Sequence, residues 1–156
     1  METVASYYYL GQFGLEQSNE KALPYFQMAA EKGSLSSQLA LGWIYYFEQG
    51  SEKSEEKSAY YFKLAADQGN VVAMEMTALF FYYGEGVPQS MTNAIEYFSR
   101  AAALGSSSSL YKLGYIYEMG LEAESSIDTA VEYYRQAADQ GNEDAIEALT
   151  RLSNQL

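Results

Sequence analysis

Tyr25-Phe26-Gln27-Met28-Ala29-Ala30-Glu31-Lys32-Gly33 decides the fold, because it occurs four times. It returns as Tyr61-Phe62-Lys63-Leu64-Ala65-Ala66-Asp67-Gln68-Gly69 and as Tyr97-Phe98-Ser99-Arg100-Ala101-Ala102-Ala103-Leu104-Gly105. The fourth copy is Tyr133-Tyr134-Arg135-Gln136-Ala137-Ala138-Asp139-Gln140-Gly141. The closing glycines at 33, 69, 105 and 141 set a period of 36 residues (69 − 33, and so on). A fixed period in this range marks an architecture of stacked supersecondary units.

Working outward, each copy reads as the second helix of an antiparallel pair. First helices are expected at 1–11, 36–49, 71–83 and 108–119, and second helices at 20–31, 55–68, 91–104 and 127–140. A last first-type helix at 142–152 brings the total to nine. Phe13-Gly14-Leu15 breaks the first helix, and Ser18-Asn19-Glu20 offers cap oxygens to the second. Pro24 is placed early in that helix, where a missing N–H matters least. Glu52 to Lys57 reads as a solvated connection or first helical turn. Gly84-Glu85-Gly86-Val87-Pro88 is a turn between antiparallel helices, since no strand precedes it and no G-K-[ST] follows. The alanine pairs and Gly42 and Gly114 let helices approach closely, and the aromatic pairs at 25/26, 61/62, 97/98 and 133/134 fill the space between units. The fold expected is all-α: an α-solenoid of about four and a half repeats, at about 1–33, 34–69, 70–105 and 106–141, with a capping helix in 142–156, forming a single domain. The polar outer face of the last helix, with Glu143, Asp144, Glu147 and Arg151, suits a cap.

Composition narrows the function. The 156 residues carry 9 basic and 21 acidic side chains, a formal net charge of −12. Nucleic acid and anionic membrane surfaces are excluded as partners, because phosphate binding needs clustered Lys and Arg. A basic partner would be steered by the field. Without cysteine or histidine, Ser-His-Asp and Cys-His catalysis is ruled out and a zinc site lacks its preferred ligands. Carboxylate pairs remain open as a catalytic route. No catalytic residue, cofactor or metal ligand is assigned. Without a basic n-region or a long apolar run, the chain reads as cytoplasmic, or as periplasmic where a leader has been removed.

Leu41-Gly42-x-x-Tyr45, then Gly84-x-Gly86-Val87-Pro88, then Ala94-x-x-Tyr97-Phe98-x-x-Ala101-Ala102-x-x-Gly105, resembles the Sel-one-like repeat, a relative of the tetratricopeptide repeat. The resemblance spans essentially the whole chain. Departures are local: Thr77-Ala78 replaces Leu-Gly, Glu48 and Glu122 replace loop glycines, and Ser58-Ala59 shifts an alanine. Some cysteine-rich relatives are linked to β-lactam binding, but they look disulfide-built and this chain has no cysteine.

The resemblance implies that the first helix of each unit lines a concave face. The inward positions would be Ser36, Leu39, Trp43, Tyr46 and Phe47; Val72, Glu75, Leu79, Tyr82 and Tyr83; and Ser108, Tyr111, Tyr115, Glu118 and Met119. Tyr7 and Leu10 would precede them, and Asp144, Glu147 and Arg151 would follow. Spacings of three, four and seven put each set on one helix face, apart from the core positions 37, 41, 44 and 45. The partner-binding residues expected are Trp43, Tyr46, Phe47, Glu75, Leu79, Tyr82, Tyr83, Tyr111, Tyr115 and Glu118, with Glu75 and Glu118 pairing to a partner's Lys or Arg.

The leading reading is a non-catalytic module that binds a peptide or protein in this aromatic, acidic groove. Against it stands packing of the rings between successive first helices. An acidic inhibitor or immunity protein against a basic toxin is the alternative, and a carboxylate enzyme a further one. Self-association through the solenoid ends, 2–10 and 143–152, is the structural option.

Overall fold

The computed structural model describes residues 2–10, 18–47, 54–121 and 126–154. Among them nine α-helices and no strands occur. They are α1 (Glu2–Leu10), α2 (Asn19–Ala30), α3 (Leu35–Phe47), α4 (Glu55–Asp67), α5 (Val71–Tyr83), α6 (Met91–Ala103), α7 (Ser107–Met119), α8 (Ile127–Asp139) and α9 (Glu143–Ser153). Gly11, the Phe13-Gly14-Leu15 break, Glu48, Gln49, Glu52, Lys53 and Glu122, together with the Tyr7 side chain, lie outside the described residues.

The 36-residue period becomes geometry at the junctions. Each closing glycine takes a left-handed φ, between 81° and 92°. Its N–H, and that of the residue after it, turn back onto the alanine pair: Gly33 to Ala30 O at 2.9 Å and Ser34 to Ala29 O at 3.1 Å, with the same pattern at 69/70, 105/106 and 141/142. This closure needs positive φ, which glycine adopts without steric cost. The next residue then opens the following helix. Ser34 Oγ accepts from Ser37 N, Asn70 Oδ1 from Ala73 N, Ser106 Oγ from Ser109 N and Asn142 Oδ1 from Ala145 N. One residue thus ends one helix and caps the next, a contribution of about 1 kcal/mol per cap.

Serines at 18, 54, 90 and 126, again 36 apart, cap the second helices, accepting from Lys21, Lys57, Asn93 and Thr129 N. Their own N–H groups donate to carbonyls of the preceding helix: Tyr8, Tyr45, Phe81 and Tyr117. Pro24 departs from expectation. Because α2 begins at Asn19, Pro24 lies in the second turn, where its ring forfeits the bond that Glu20 C=O would accept.

Two compact units are distinguished: residues 1–73 with 85–88, and 74–84 with 89–156. In the first, α1–α4 bury Ala5, Ala22, Phe26, Leu41, Ile44 and Tyr45, and Tyr25 and Tyr61 pack against them. Gln38 threads its polar end, donating to Ala30 O while its Oε1 accepts from Gln68 Nε2 at 2.7 Å. In the second, Leu110, Ala130, Tyr134, Ala137, Ala145 and Leu152 form the core shared by α7, α8 and α9.

Close approach has a residue-level cause. A Cβ at Gly42 would meet the Phe62 ring at 2.9 Å; one at Gly114 would meet the Tyr134 ring at 2.7 Å and Ala130 O at 3.2 Å. Glycine there is disfavoured by helix propensity by about 1 kcal/mol against alanine. Its hydrogen allows the facing aromatic to seat. No helix among the described residues is long and apolar enough to cross a membrane.

Candidate functional site

The first helices of each pair separate cleanly into two faces. Ser37, Leu41, Ile44 and Tyr45 are buried, as are their echoes Ala73, Thr77, Phe80, Ser109, Leu113 and Ile116. The opposite face stays open: Trp43, Tyr46, Leu79, Tyr82, Tyr111 and Tyr115 are half-buried, while Phe47 (68%) and Tyr83 (57%) are exposed. Helix periodicity produces this split, since residues three, four and seven apart project on one side.

In the first unit, Trp43 stacks on Phe47 at 5.3 Å and meets Tyr46 edge-on at 6.1 Å. Its other contact, edge-on to Phe62 at 4.8 Å, anchors the indole to the ring that covers Gly42. Trp43 thus joins core to surface.

In the second unit, Tyr82 and Tyr83 form an edge-on pair at 4.8 Å. Partial burial, then the neighbouring Tyr115 and Tyr83 hydroxyls, push the Tyr82 phenol up. Tyr111 leans on Tyr134 at 5.6 Å. Its phenol is raised by burial first, then by Asp144, Tyr115 and Glu118, with Arg151 opposing. Tyr82, Tyr115, Tyr111 and the polar side of α9 are therefore electrostatic neighbours. A cavity of about 280 Å³ is lined by Tyr111, Asp144, Glu147, Ala148 and Arg151.

The two carboxylates expected to meet a partner's Lys or Arg are engaged within the protein. Glu75 accepts a short hydrogen bond from Ser106 Oγ. That hydroxyl in turn accepts from Ser109 N, so Glu75 steadies the start of α7. Glu118 is held by Arg151 through two contacts, Nη1 to Oε1 at 2.7 Å and Nη2 to Oε2 at 2.8 Å. Tyr134 OH donates to the same Oε2 at 2.7 Å. Only 6% of the Glu118 side chain is exposed. The Arg151 hydrogen bond holds its carboxyl below the usual range against a smaller opposing effect of burial. Burial and the Glu118 bond drive the Tyr134 phenol strongly upward, so it stays a donor.

Sequence reading took Tyr134 for a space-filler, and Arg151 for a polar residue of the capping helix that continues the inward face. The available signal was a pair of coincident exceptions. Position 134 is tyrosine where 26, 62 and 98 are phenylalanine, and 118 is glutamate where 46 and 82 are tyrosine. Among the described residues, no group of three His, Cys, Asp or Glu side chains could hold a metal ion.

The geometry is that of a helical repeat protein of the α-solenoid class. Residues 4–34, 35–70, 71–106 and 107–142 match the Sel1 repeat in four consecutive copies, and the chain belongs to that family. Sel1 repeat proteins are generally protein-interaction modules and typically non-catalytic scaffolds. No curated protein matches the chain. Among solved structures, a protective antigen of uropathogenic Escherichia coli with an SLR fold is 32% identical, with a TM-score of 0.87 over 97% of this chain. A Sel1 repeat protein of Oxalobacter formigenes is 26% identical, with a TM-score of 0.86 over 95% of it. This chain spans 32% of the former and 60% of the latter. The Helicobacter pylori cysteine rich protein B shares the fold at 24% identity, with a TM-score of 0.61 over 83% of this chain and 93% of its own.

Proposed function

We propose that the chain is a non-catalytic interaction module, and that the open face of α5 and α7 in its second unit takes a peptide or protein segment. The observation that carries this reading is the retention of Tyr82, Tyr83, Tyr111 and Tyr115 on the solvent side of helices whose other side is fully buried. Burying such rings at an interface gains apolar area at low side-chain entropy cost. Leu79 adds apolar surface. Trp43, Tyr46 and Phe47 form a comparable patch on the first unit and are a second contact surface in this reading.

Glu75 and Glu118 serve differently from the first expectation. Each is occupied internally and so positions the face. The acids available to a basic partner are Asp144 and Glu147, both exposed beside Tyr111. The net charge of −12 favours a basic partner, and it equally supports the narrower reading of an acidic inhibitor of a basic protein.

The test is capture of partners by wild-type protein and by a Tyr82→Ala, Tyr115→Ala variant of unchanged helicity, at low and high salt. Loss of the partner in the variant is expected. Full retention would remove the function from this face. Release by salt would favour the inhibitor reading, and salt-insensitive binding would count against it.

A further inference from the structure

The cavity between α7 and α9 differs in chemistry from the rest of the tyrosine face. Tyr111 of α7 forms one wall, and Asp144, Glu147, Ala148 and Arg151 of α9 form the other, around about 280 Å³. One period earlier the same positions hold Glu75 on α5, then Ser108, Tyr111, Lys112 and Tyr115 on α7. That surface is open as well: Ser108 is exposed, and Glu75, Tyr111 and Tyr115 are half-buried, although α9 follows α7. The opening therefore belongs to the face between consecutive first helices, and not to an end of the stack.

The charges lining the cavity do not cancel. Arg151 is spent on Glu118, which both its terminal nitrogens contact. Asp144 and Glu147 are exposed, and no ion pair among the described residues engages either carboxylate. Lys112 Nζ, 5.8 Å from the centre of the Tyr111 ring, is not among the lining groups. After burial, Asp144 is the first cause that pushes the Tyr111 phenol up, so the ring and the carboxylate share one field. Among the echoes of 144 and 147, which are 36/39, 72/75 and 108/111, no other pair is doubly acidic.

Asp144 and Glu147 are three residues apart on one helix face, with Cβ atoms about 5–6 Å apart. A single ammonium between them reaches both, because its three donors radiate from one point. A guanidinium fork is matched instead to one carboxylate, side by side. A lysine stem gains contact with Tyr111 and Ala148, and the aromatic face attracts its charged end. A neutral side chain in the same place would desolvate two carboxylates without compensation.

We propose that this cavity takes a lysine side chain of the partner, its ammonium held between Asp144 and Glu147 and its stem against Tyr111. The inference rests on the reading of the tyrosine face as the contact surface, and it specifies the residue type that face selects.

The probes are the N-acetyl methylamides of lysine, arginine and uncharged norleucine, titrated into the full chain and followed by NMR. The lysine derivative is expected to shift the signals of Tyr111, Glu147 and Ala148, and to bind about threefold more tightly than the arginine derivative. Norleucine should leave those signals unmoved. Asp144→Asn with Glu147→Gln should weaken lysine binding about tenfold, and Glu147→Gln alone, which spares the first turn of α9, about threefold. Glu132→Gln with Asp139→Asn removes the same two charges from exposed positions of α8, and should leave binding within about twofold. Equal losses in the two double variants would reduce the effect to the general field and overturn the proposal. So would arginine or norleucine binding as tightly as lysine, or no shift with lysine. Failure here beside a Tyr82→Ala, Tyr115→Ala variant that still loses its partner would strike the lysine site and leave the interaction face. Lysine binding as expected, beside a variant that keeps its partner, would strike the face and leave the site.

Discussion

The α3–α4 seam of the first unit and the α7–α8 seam of the second share a backbone arrangement and differ in polar wiring. In both, a helical glycine lies under an aromatic ring, Gly42 under Phe62 and Gly114 under Tyr134. In the first, the ring is apolar and the polar element is Ser58, fully buried, whose hydroxyl donates to Gly42 O at 2.8 Å. Ser58 is the residue that breaks the alanine register of the repeat, and the bond accounts for it. In the second, alanine returns at 130 and the ring itself carries the hydroxyl. That hydroxyl needs an acceptor, which Glu118 supplies, and the charge of Glu118 needs a counter-ion, which Arg151 supplies. A repeat dictates the backbone, and each polar exception to it must come with its partner, because an unpaired buried polar group is destabilising.

The strongest way to break this comparison is to remove the rings. Phe62→Ala and Tyr134→Ala should each cost about 3–5 kcal/mol in urea unfolding, the range for an aromatic deleted from a core. A cost below 1 kcal/mol at either site would show that the seams do not carry the fold equally.

Adding a methyl group sharpens it. Gly114→Ala should destabilise by about 1–3 kcal/mol, because the added carbon would also stand 3.2 Å from the backbone oxygen of Ala130, which yields little. Gly42→Ala should cost less, since the three nearest atoms all belong to the Phe62 side chain and none to backbone, and helix propensity offsets about 1 kcal/mol. Equal losses would mean that the rings alone set the approach.

Arg151→Met tests the wiring of the second unit. The expected loss is about 1 kcal/mol at pH 7, kept small because Arg151 is half exposed and solvent screens the pair. The sign follows from linkage. The folded carboxyl of Glu118 is held below its unfolded value of about 4.3, so its contribution is complete above that value and disappears as the pH falls through the lowered folded one. Wild type and variant should therefore converge on acidification. A stability gap unchanged at low pH would assign the effect to packing. The smallest expected change is Ser58→Ala, about 0.5–1 kcal/mol, since Gly42 O keeps its place in the helix ladder. A neutral result would leave the broken alanine register without a cause.

Much of this architecture was legible in the chain. Four copies of one nine-residue stretch gave the helix count, and helix spacing separated the buried positions 37, 41, 44 and 45 from the open ones. These features repeat, and periodicity is a one-dimensional signal. The serines at 18, 54, 90 and 126 also stand 36 apart, but only Ser18 was read as a cap from the sequence. The fate of single charges was not legible. Glu75 and Glu118 share the solvent-side face with the tyrosines and read as free acids, yet Ser106, 31 residues away, and Arg151, 33 residues away, engage them.

The amino-acid sequence by itself determined the period, the antiparallel pairing, the small-residue seams and the absence of thiol and imidazole chemistry. Each depends on residue type and local spacing alone. Only the tertiary structure decided which carboxylates are spoken for, and that the Tyr134 hydroxyl shares Glu118 with Arg151. Both depend on side chains from separate helices meeting within a few ångströms, a distance that spacing along the chain does not encode.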